Sequence, residues 1–228
     1  VEARTIYKVL AGSRAYGLET VKSDFDVRGI CMPTEDVIYG LSNFEQFEDK
    51  TNDIVIYDIR KFFRLALKCN PNIVELLFVR SDDVLSANYY GCLIREQRHL
   101  FLSQRARMTF SGYAHSQLKK FVASALPGGS GPNFKNAMHL IRLLKTGISI
   151  LRDGEPEVYR YCDRDQLLDI RNGHYTVEQI DGIAEMLNLE LNECPTDLPA
   201  EPDYETANEL LIRIVRSYLS DQRLKEMR

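Results

Sequence analysis

The chain has 228 residues, 44% of them hydrophobic and 27% charged, and a net charge of −4, the composition of an ordinary globular protein long enough for one large domain or two small ones. That acidic balance argues against a general, sequence-blind nucleic-acid binder, while leaving room for a local basic groove. The opening residues show no signal-peptide pattern and no apolar run approaches membrane-spanning length. Five scattered cysteines without a paired C-x-x-C suit reduced thiols in a cytoplasm better than a disulfide frame or a zinc site.

In chain order, residues 5–11 read as a buried strand, residues 13–16 as a short helical turn, and residues 23–32 as a second strand ending near Pro33. Asp24 and Asp26 lie two apart, so an extended backbone points both carboxylates to one face. Two like charges that close require neutralisation, and an all-oxygen donor set favours a hard cation, Mg²⁺ first and Mn²⁺ second. Gly12 lets backbone approach a ligand closely, and Ser13 offers an amide and a hydroxyl to phosphate oxygens. The stretch therefore reads as a metal–triphosphate site. Arg28 shares the carboxylates' face; steadying them, touching a phosphate and forming an ordinary salt bridge are all open to it.

Gly12-Ser13, a short spacer and Ser23-Asp24-Phe25-Asp26 together resemble the signature of the DNA polymerase β nucleotidyltransferase superfamily. The longer string GSRAYGLETVKSDFDVRG resembles the RlaP type, nucleotidyltransferases associated with RNA-ligase repair systems. Asn70-Pro71-Asn72 with Glu75, and the stretch from Lys135 to Arg142, fit the same likeness. It covers most of the chain, with specific motifs only in the first part.

The resemblance implies an α+β fold, with a polymerase-β-like core of mixed sheet and helices over residues 1–100 and a mainly helical region over 101–228. It implies Asp24 and Asp26 as catalytic metal ligands, and a third carboxylate on a neighbouring strand. Asp53 opens the β-rich run 52–57 and matches that placement best, whereas Asp58 lies on the opposite strand face and suits the cap of the next helix. Gly12, Ser13, Arg14, Arg28, Lys135 and Arg142 are the residues implied for holding the nucleoside triphosphate. An RNA acceptor and an RNA ligase or other repair partner are implied too.

Further along, residues 44–49 suit a hairpin arm, and residues 58–68 carry a continuous apolar helical face that Asn70-Pro71-Asn72 ends. Residues 73–79 are apolar apart from Glu75, read as a partnered structural glutamate. Residues 82–85 look like a turn into another helix. A helix over 106–125 stops at the Gly/Pro loop 126–132, and a helix over 133–151 presents Lys135, His139, Arg142 and Lys145 along one side. Thr176 with Gln179 forms a capping box at the next helix start, and residues 205–227 form a last amphipathic helix. Arg60, Lys61, Arg64 and Lys68 make one basic cluster and Arg95, Arg98, Arg105 and Arg107 another; each reads equally well as a solvated helix face.

The expected chemistry is transfer of NMP from an NTP to a hydroxyl, releasing pyrophosphate, with an RNA end as acceptor by family resemblance. A protein or small-molecule acceptor, and a catalytically silent nucleotide- or RNA-binding module, are the alternatives.

Overall fold

In a computed structural model that describes residues 4–21, 23–126 and 131–226, five short strands form one mixed sheet. They are β1 (Thr5–Leu10), β2 (Val27–Cys31), β3 (Gln46–Asp49), β4 (Ile54–Asp58) and β5 (Val84–Ala87), in the spatial order β3-β4-β2-β1-β5. β2 pairs antiparallel to β1 and parallel to β4. Val27 lies opposite Leu10 on one side and Ile54 on the other. The end of β1 and the starts of β2 and β4 thus meet at one edge of the sheet. The residues just beyond those ends are Gly12, Asp26 and Asp53.

The α+β class expected from the sequence is the class observed, with local differences. β2 begins at Val27, not at Ser23; residues 23–26 are irregular backbone, so Asp24 and Asp26 precede the strand instead of riding on it. The turn expected at residues 82–85 contains a strand, β5, which pairs with β1. Pro71 opens a short helix with Asn70 as its cap, since proline suits a first helical turn.

Among the helices of the first half, α1 (Gly12–Ala15), α2 (Glu35–Tyr39) and α3 (Ile59–Ala66) come first. Asp58 caps α3, accepting from the Arg60 amide at 2.7 Å, and the helix buries Ile59, Phe62, Phe63 and Ala66. α4 (Pro71–Val74) runs into a 3₁₀ turn over Glu75–Leu77, and α5 (Tyr89–Glu96) packs on β1. Gly91 makes that contact possible, because a Cβ there would lie 2.1 Å from the Ile6 carbonyl oxygen.

The second half consists of α6 (Arg105–Ala125), α7 (Phe134–Asp153), α8 (Arg164–Arg171), α9 (Val177–Glu193) and α10 (Tyr204–Glu226). Of the Gly/Pro loop, residues 127–130 lie outside the described residues, as does Met227 of the last helix. The helix α7 runs through the centre of this half, against α6, α8 and α9, and buries every residue from Ala137 to Leu151 except His139 and Lys145, which are half-buried. The Thr176–Gln179 capping box forms with both of its hydrogen bonds. One contiguous apolar core joins the two halves, from Ile6 and Phe62 to Leu144 and Leu191.

The basic side of α7 is mostly turned inward. Lys145 pairs with Asp163 at 2.9 Å and Arg142 is buried, while Lys135 is exposed. His139 is largely buried; that burial, with the nearby charges of Arg142, Lys135, Arg171 and Lys120, pushes its pKa down to about 3. An unfolded histidine titrates near 6.5, so between those values the unfolded state binds the extra proton and stability falls as pH falls. From pH 6.5 to pH 5 His139 is expected to remove about 1–2 kcal/mol of stability. Urea unfolding at both pH values checks this: the loss should shrink in His139→Gln, and an unchanged loss there would show that the folded histidine takes up its proton.

Candidate active site

The chain at the sheet edge is arranged around Gly12. It adopts φ +60°, and a Cβ there would fall 1.8 Å from Asp26 Oδ2. Only glycine leaves room for the Asp26 carboxylate to lie directly over the backbone at this point. The Ala11 amide donates to the Asp26 carbonyl at 2.8 Å, and the Val27 amide to the Asp53 carbonyl at 3.0 Å. These two bonds extend the sheet pairing by one step and set the three segments side by side.

Asp53 has φ +48°, and its carboxylate lies within hydrogen-bonding reach of Asp26. Arg28 bridges them: its Nη2 lies 2.9 Å from Asp53 Oδ1 and 3.8 Å from Asp26 Oδ1. Its Nη1 donates to the Asp53 carbonyl at 2.6 Å. Burial, reinforced by the neighbouring Asp53, pushes the Asp26 carboxyl up to about 6. Its hydrogen bond to Asp26, with help from Arg28, holds Asp53 below the usual carboxylate range. Two carboxylates this close share a proton or a cation; they do not both stay ionised unaided. The charge of Lys135 also acts on both carboxylates.

Asp24 is exposed on the loop before β2, and Arg14 shapes that loop. Its guanidinium stacks 3.7 Å above the Phe25 ring and donates to the Ser23 and Asp24 carbonyls at 3.2 and 3.3 Å. Ser13 follows Gly12 in α1, and its hydroxyl has no hydrogen-bond partner among the described residues. Asp58, the other candidate third acid, is 1% exposed and engaged by Arg60 through both carboxylate oxygens at 3.0 Å. Its place is structural, away from the Asp26–Asp53 pair.

Arg142 lies elsewhere than a phosphate contact would need. Its Nη1 donates to Glu75 Oε1 at 2.7 Å, its guanidinium stacks 3.7 Å from the Tyr16 ring, and Tyr16 donates its hydroxyl proton to Glu75 Oε2 at 2.8 Å. Glu75 is 2% and Arg142 3% exposed. This buried trio ties α7 to the turn after α1. The helical half grips that turn further: Arg164 and Arg171 of α8 donate to the Gly17 and Leu18 carbonyls, each at 2.7 Å.

A cavity of about 280 Å³ opens beside the carboxylates, bounded by Gly12, Asp26 and Arg28, with Tyr16, Tyr57 and Glu75 in its wall. Tyr57 and Asn72, which also lines it, were not singled out as site residues by sequence reasoning. Their only signal was position, Tyr57 two residues after Val55 on a strand and Asn72 inside the Asn-Pro-Asn string.

Among the described residues no three carboxylate, imidazole or thiolate groups converge as a closed metal site. The donor chemistry nevertheless fits a hard divalent cation, because Asp26 and Asp53 present oxygen ligands whose mutual repulsion a cation would relieve. Asp24, two residues away and exposed, is the further oxygen donor within chain reach. The basic clusters are largely used internally: Arg60 by Asp58, Lys61 by Glu45, Arg95 by the Val79 carbonyl, Arg105 by Glu201 and Arg107 by the Asn192 and Cys194 carbonyls.

A family model described as RlaP, RNA repair pathway DNA polymerase beta family, matches residues 1–213. Uncharacterized protein YcgL of Bacillus subtilis (strain 168) is 32% identical over 86 residues, 36% of this chain and 32% of YcgL. Uncharacterized protein MJ0002 of Methanocaldococcus jannaschii is 26% identical over 157 residues, 66% of this chain and 61% of MJ0002. The matched part of the chain thus spans less than two thirds of either relative's length. A crystal structure of a nucleotidyltransferase-like protein from Exiguobacterium sibiricum 255-15 aligns with a TM-score of 0.34 at 14% identity, covering 82% of this chain and 68% of that one. No helix among the described residues is long and apolar enough to cross a membrane.

Proposed function

Because the chain belongs to the RlaP family, the RNA repair pathway DNA polymerase beta family, we propose that it transfers a nucleoside monophosphate from an NTP to a hydroxyl, at the end of an RNA. The observation that carries this reading is the meeting of Gly12, Asp26 and Asp53 at one sheet edge, with the Asp26 carboxylate laid over the glycine.

Asp26 and Asp53, joined by Asp24, are the residues that would hold Mg²⁺, with Mn²⁺ as substitute. When bound, the metal supplies positive charge to the phosphate oxygens and lowers the pKa of the attacking hydroxyl. The amides of Gly12 and Ser13 and the Ser13 hydroxyl bind the triphosphate tail, and Arg28 and Lys135 contribute positive charge near it. Arg14 acts through the loop it holds, keeping Asp24 beside the site. Asp53, held below the usual carboxylate range by its hydrogen bond to Asp26 with help from Arg28, accepts the proton of the acceptor hydroxyl. That oxygen bonds to the α-phosphorus as the bond from the α-phosphorus to the bridging oxygen of the β-phosphate breaks, and pyrophosphate leaves. Arg142 supports the site from behind, through Glu75 and Tyr16. In this reading residues 1–100 form the catalytic core and residues 101–228 a helical region that positions it, in a cytoplasmic protein. An RNA ligase or another repair enzyme is the partner that would use the modified end.

A second reading, NMP transfer to a protein or a small molecule, is favoured by one observation: the two basic clusters are largely spent on internal ion pairs and carbonyls, which leaves little free positive charge to bind an RNA backbone. The test is incubation with Mg²⁺ and each α-³²P-labelled NTP, with total RNA and cell protein offered together. Label in RNA supports the first reading, and label in protein the second. Nucleotide bound without transfer to either would overturn the RNA reading and the protein acceptor, leaving a small-molecule acceptor or a binding module.

Gly12→Ala tests the edge geometry. The new methyl would collide with the Asp26 carboxylate, and alanine at φ +60° costs roughly 1 kcal/mol. Displacing a metal ligand by about an ångström is expected to slow transfer about 10²-fold, with a small change in melting temperature. Transfer at the wild-type rate would show that Asp26 does not act from this position.

A further inference from the structure

Beyond Gly12, Asp26 and Arg28 the cavity changes character. Its walls are aromatic and aliphatic, Tyr57 and Val158 among them, with two polar groups set into them, Asn72 and Glu75. We propose that this cavity is the slot for the base of the donor nucleotide, and that it selects a base bearing an exocyclic amino group, adenine foremost. The inference rests on the transferase reading above and adds to it which nucleotide is used.

A cavity of about 280 Å³ lined by Tyr16, Tyr57, Leu76, Val79 and Val158 with a few polar groups, beside the proposed triphosphate site, has the make-up of a base pocket: apolar and aromatic contacts for the ring and polar groups to fix its orientation. The hydrogen-bonding character of the two polar groups decides the edge. Glu75 spends one lone pair of each oxygen on Arg142 and Tyr16. With both of its oxygens accepting from these partners, what it has left is the second lone pair of each, which is acceptor capacity. Asn72 has an exposed amide with no hydrogen-bond partner among the described residues; only its backbone N–H is engaged, by Asn70. One group therefore accepts, and the other both donates and accepts.

Adenine answers both. Its amino group carries two hydrogens, one for Glu75 and one for the Asn72 carbonyl oxygen, and the adjacent ring nitrogen accepts from the Asn72 amide. Bidentate pairing of an asparagine amide to adenine is a recurrent recognition geometry. A carbonyl in place of the amino group, as in hypoxanthine or uracil, would turn lone pairs toward the Glu75 carboxylate. It would also leave a buried acceptor unpaired, the mismatch by which a site built for a hydrogen bond discriminates most strongly. Guanine would present two acceptors on the corresponding edge and fits less well.

The measurement is calorimetric titration of the full chain with ATP and with ITP, which differ at that one substituent, in Mg²⁺. ATP is expected to bind at least about 30-fold tighter than ITP. Asn72→Ala should reduce the ratio to within about threefold while leaving the melting temperature unchanged, because the amide it removes holds nothing in the fold. Glu75→Gln should weaken discrimination as well, but it disturbs a buried ion pair, so Asn72→Ala carries the test. Equal binding of ATP and ITP, binding of neither, or full discrimination in Asn72→Ala would overturn the base slot. The transferase reading fails separately: Asp26-dependent labelling without discrimination would remove this inference alone, whereas discrimination without labelling would remove the transfer and leave the slot.

Discussion

Asp26→Ala is expected to lower NMP transfer by at least about 10³-fold, a loss of roughly 4 kcal/mol of transition-state stabilisation, while the protein keeps its fold. The carboxylate rests on Gly12 and against Asp53, outside the apolar core. Removing it takes away an oxygen donor proposed to hold the metal and, in the free protein, relieves a like-charge contact. Thermal unfolding should therefore change little or improve slightly.

The neighbouring acids separate site from scaffold. Asp53→Asn should silence transfer to a similar degree, because the amide neither holds a cation well nor accepts the proton. Asp58→Asn should leave turnover intact and cost stability instead, since Asp58 is a buried helix cap paired with Arg60. Initial rates with labelled NTP, measured beside melting curves for each variant, decide between these patterns. Turnover retained in Asp26→Ala would end the assignment of that acid, and loss of turnover in Asp58→Asn alone would mean that the catalytic role lies with the other carboxylate.

The second large effect concerns stability. Glu75→Ala is expected to cost about 3–5 kcal/mol, the range for breaking a buried ion pair from one side. Arg142 would be left charged and enclosed, with its Nε already lacking a partner and Tyr16 losing the acceptor of its hydroxyl. Replacing both members, as in Glu75→Leu with Arg142→Met, should recover most of the loss, because desolvating the pair offsets much of its attraction. Denaturant unfolding of the single and double variants measures this. A cost under about 1 kcal/mol in Glu75→Ala would mean that water reaches Arg142 and the trio does little to join α7 to the first half.

The family and the α+β class were legible in the chain itself. Gly12-Ser13 and the Asp24/Asp26 spacing are local features; they depend on a glycine without a side chain and on two acids within three residues, and no long-range contact is needed to read them. Helix signals of the same local kind, the Asp58 cap of α3 and the Thr176–Gln179 box of α9, also reappear in the structure. Element limits were less legible where tertiary pairing competes with local pattern. Residues 23–26 read as strand by composition, yet strand pairing begins only at Val27, and β5 exists because the edge of β1 is open to it.

The basic side of α7 marks the limit of sequence periodicity. Spacing aligned Lys135, His139, Arg142 and Lys145, but it carries no information on what packs against that face. Arg142 turned inward to Glu75, 67 residues away in sequence, and Lys145 to Asp163. Likewise two carboxylates two residues apart announce a charge problem, whereas the partner that shares it, Asp53, is chosen by the parallel pairing of β2 with β4. Which residues could serve such chemistry is legible along the chain, because acidity, size and backbone freedom belong to single residues. Which of them meet, and which are buried as props, follows from the fold, because proximity and desolvation arise from contacts between segments far apart along the chain.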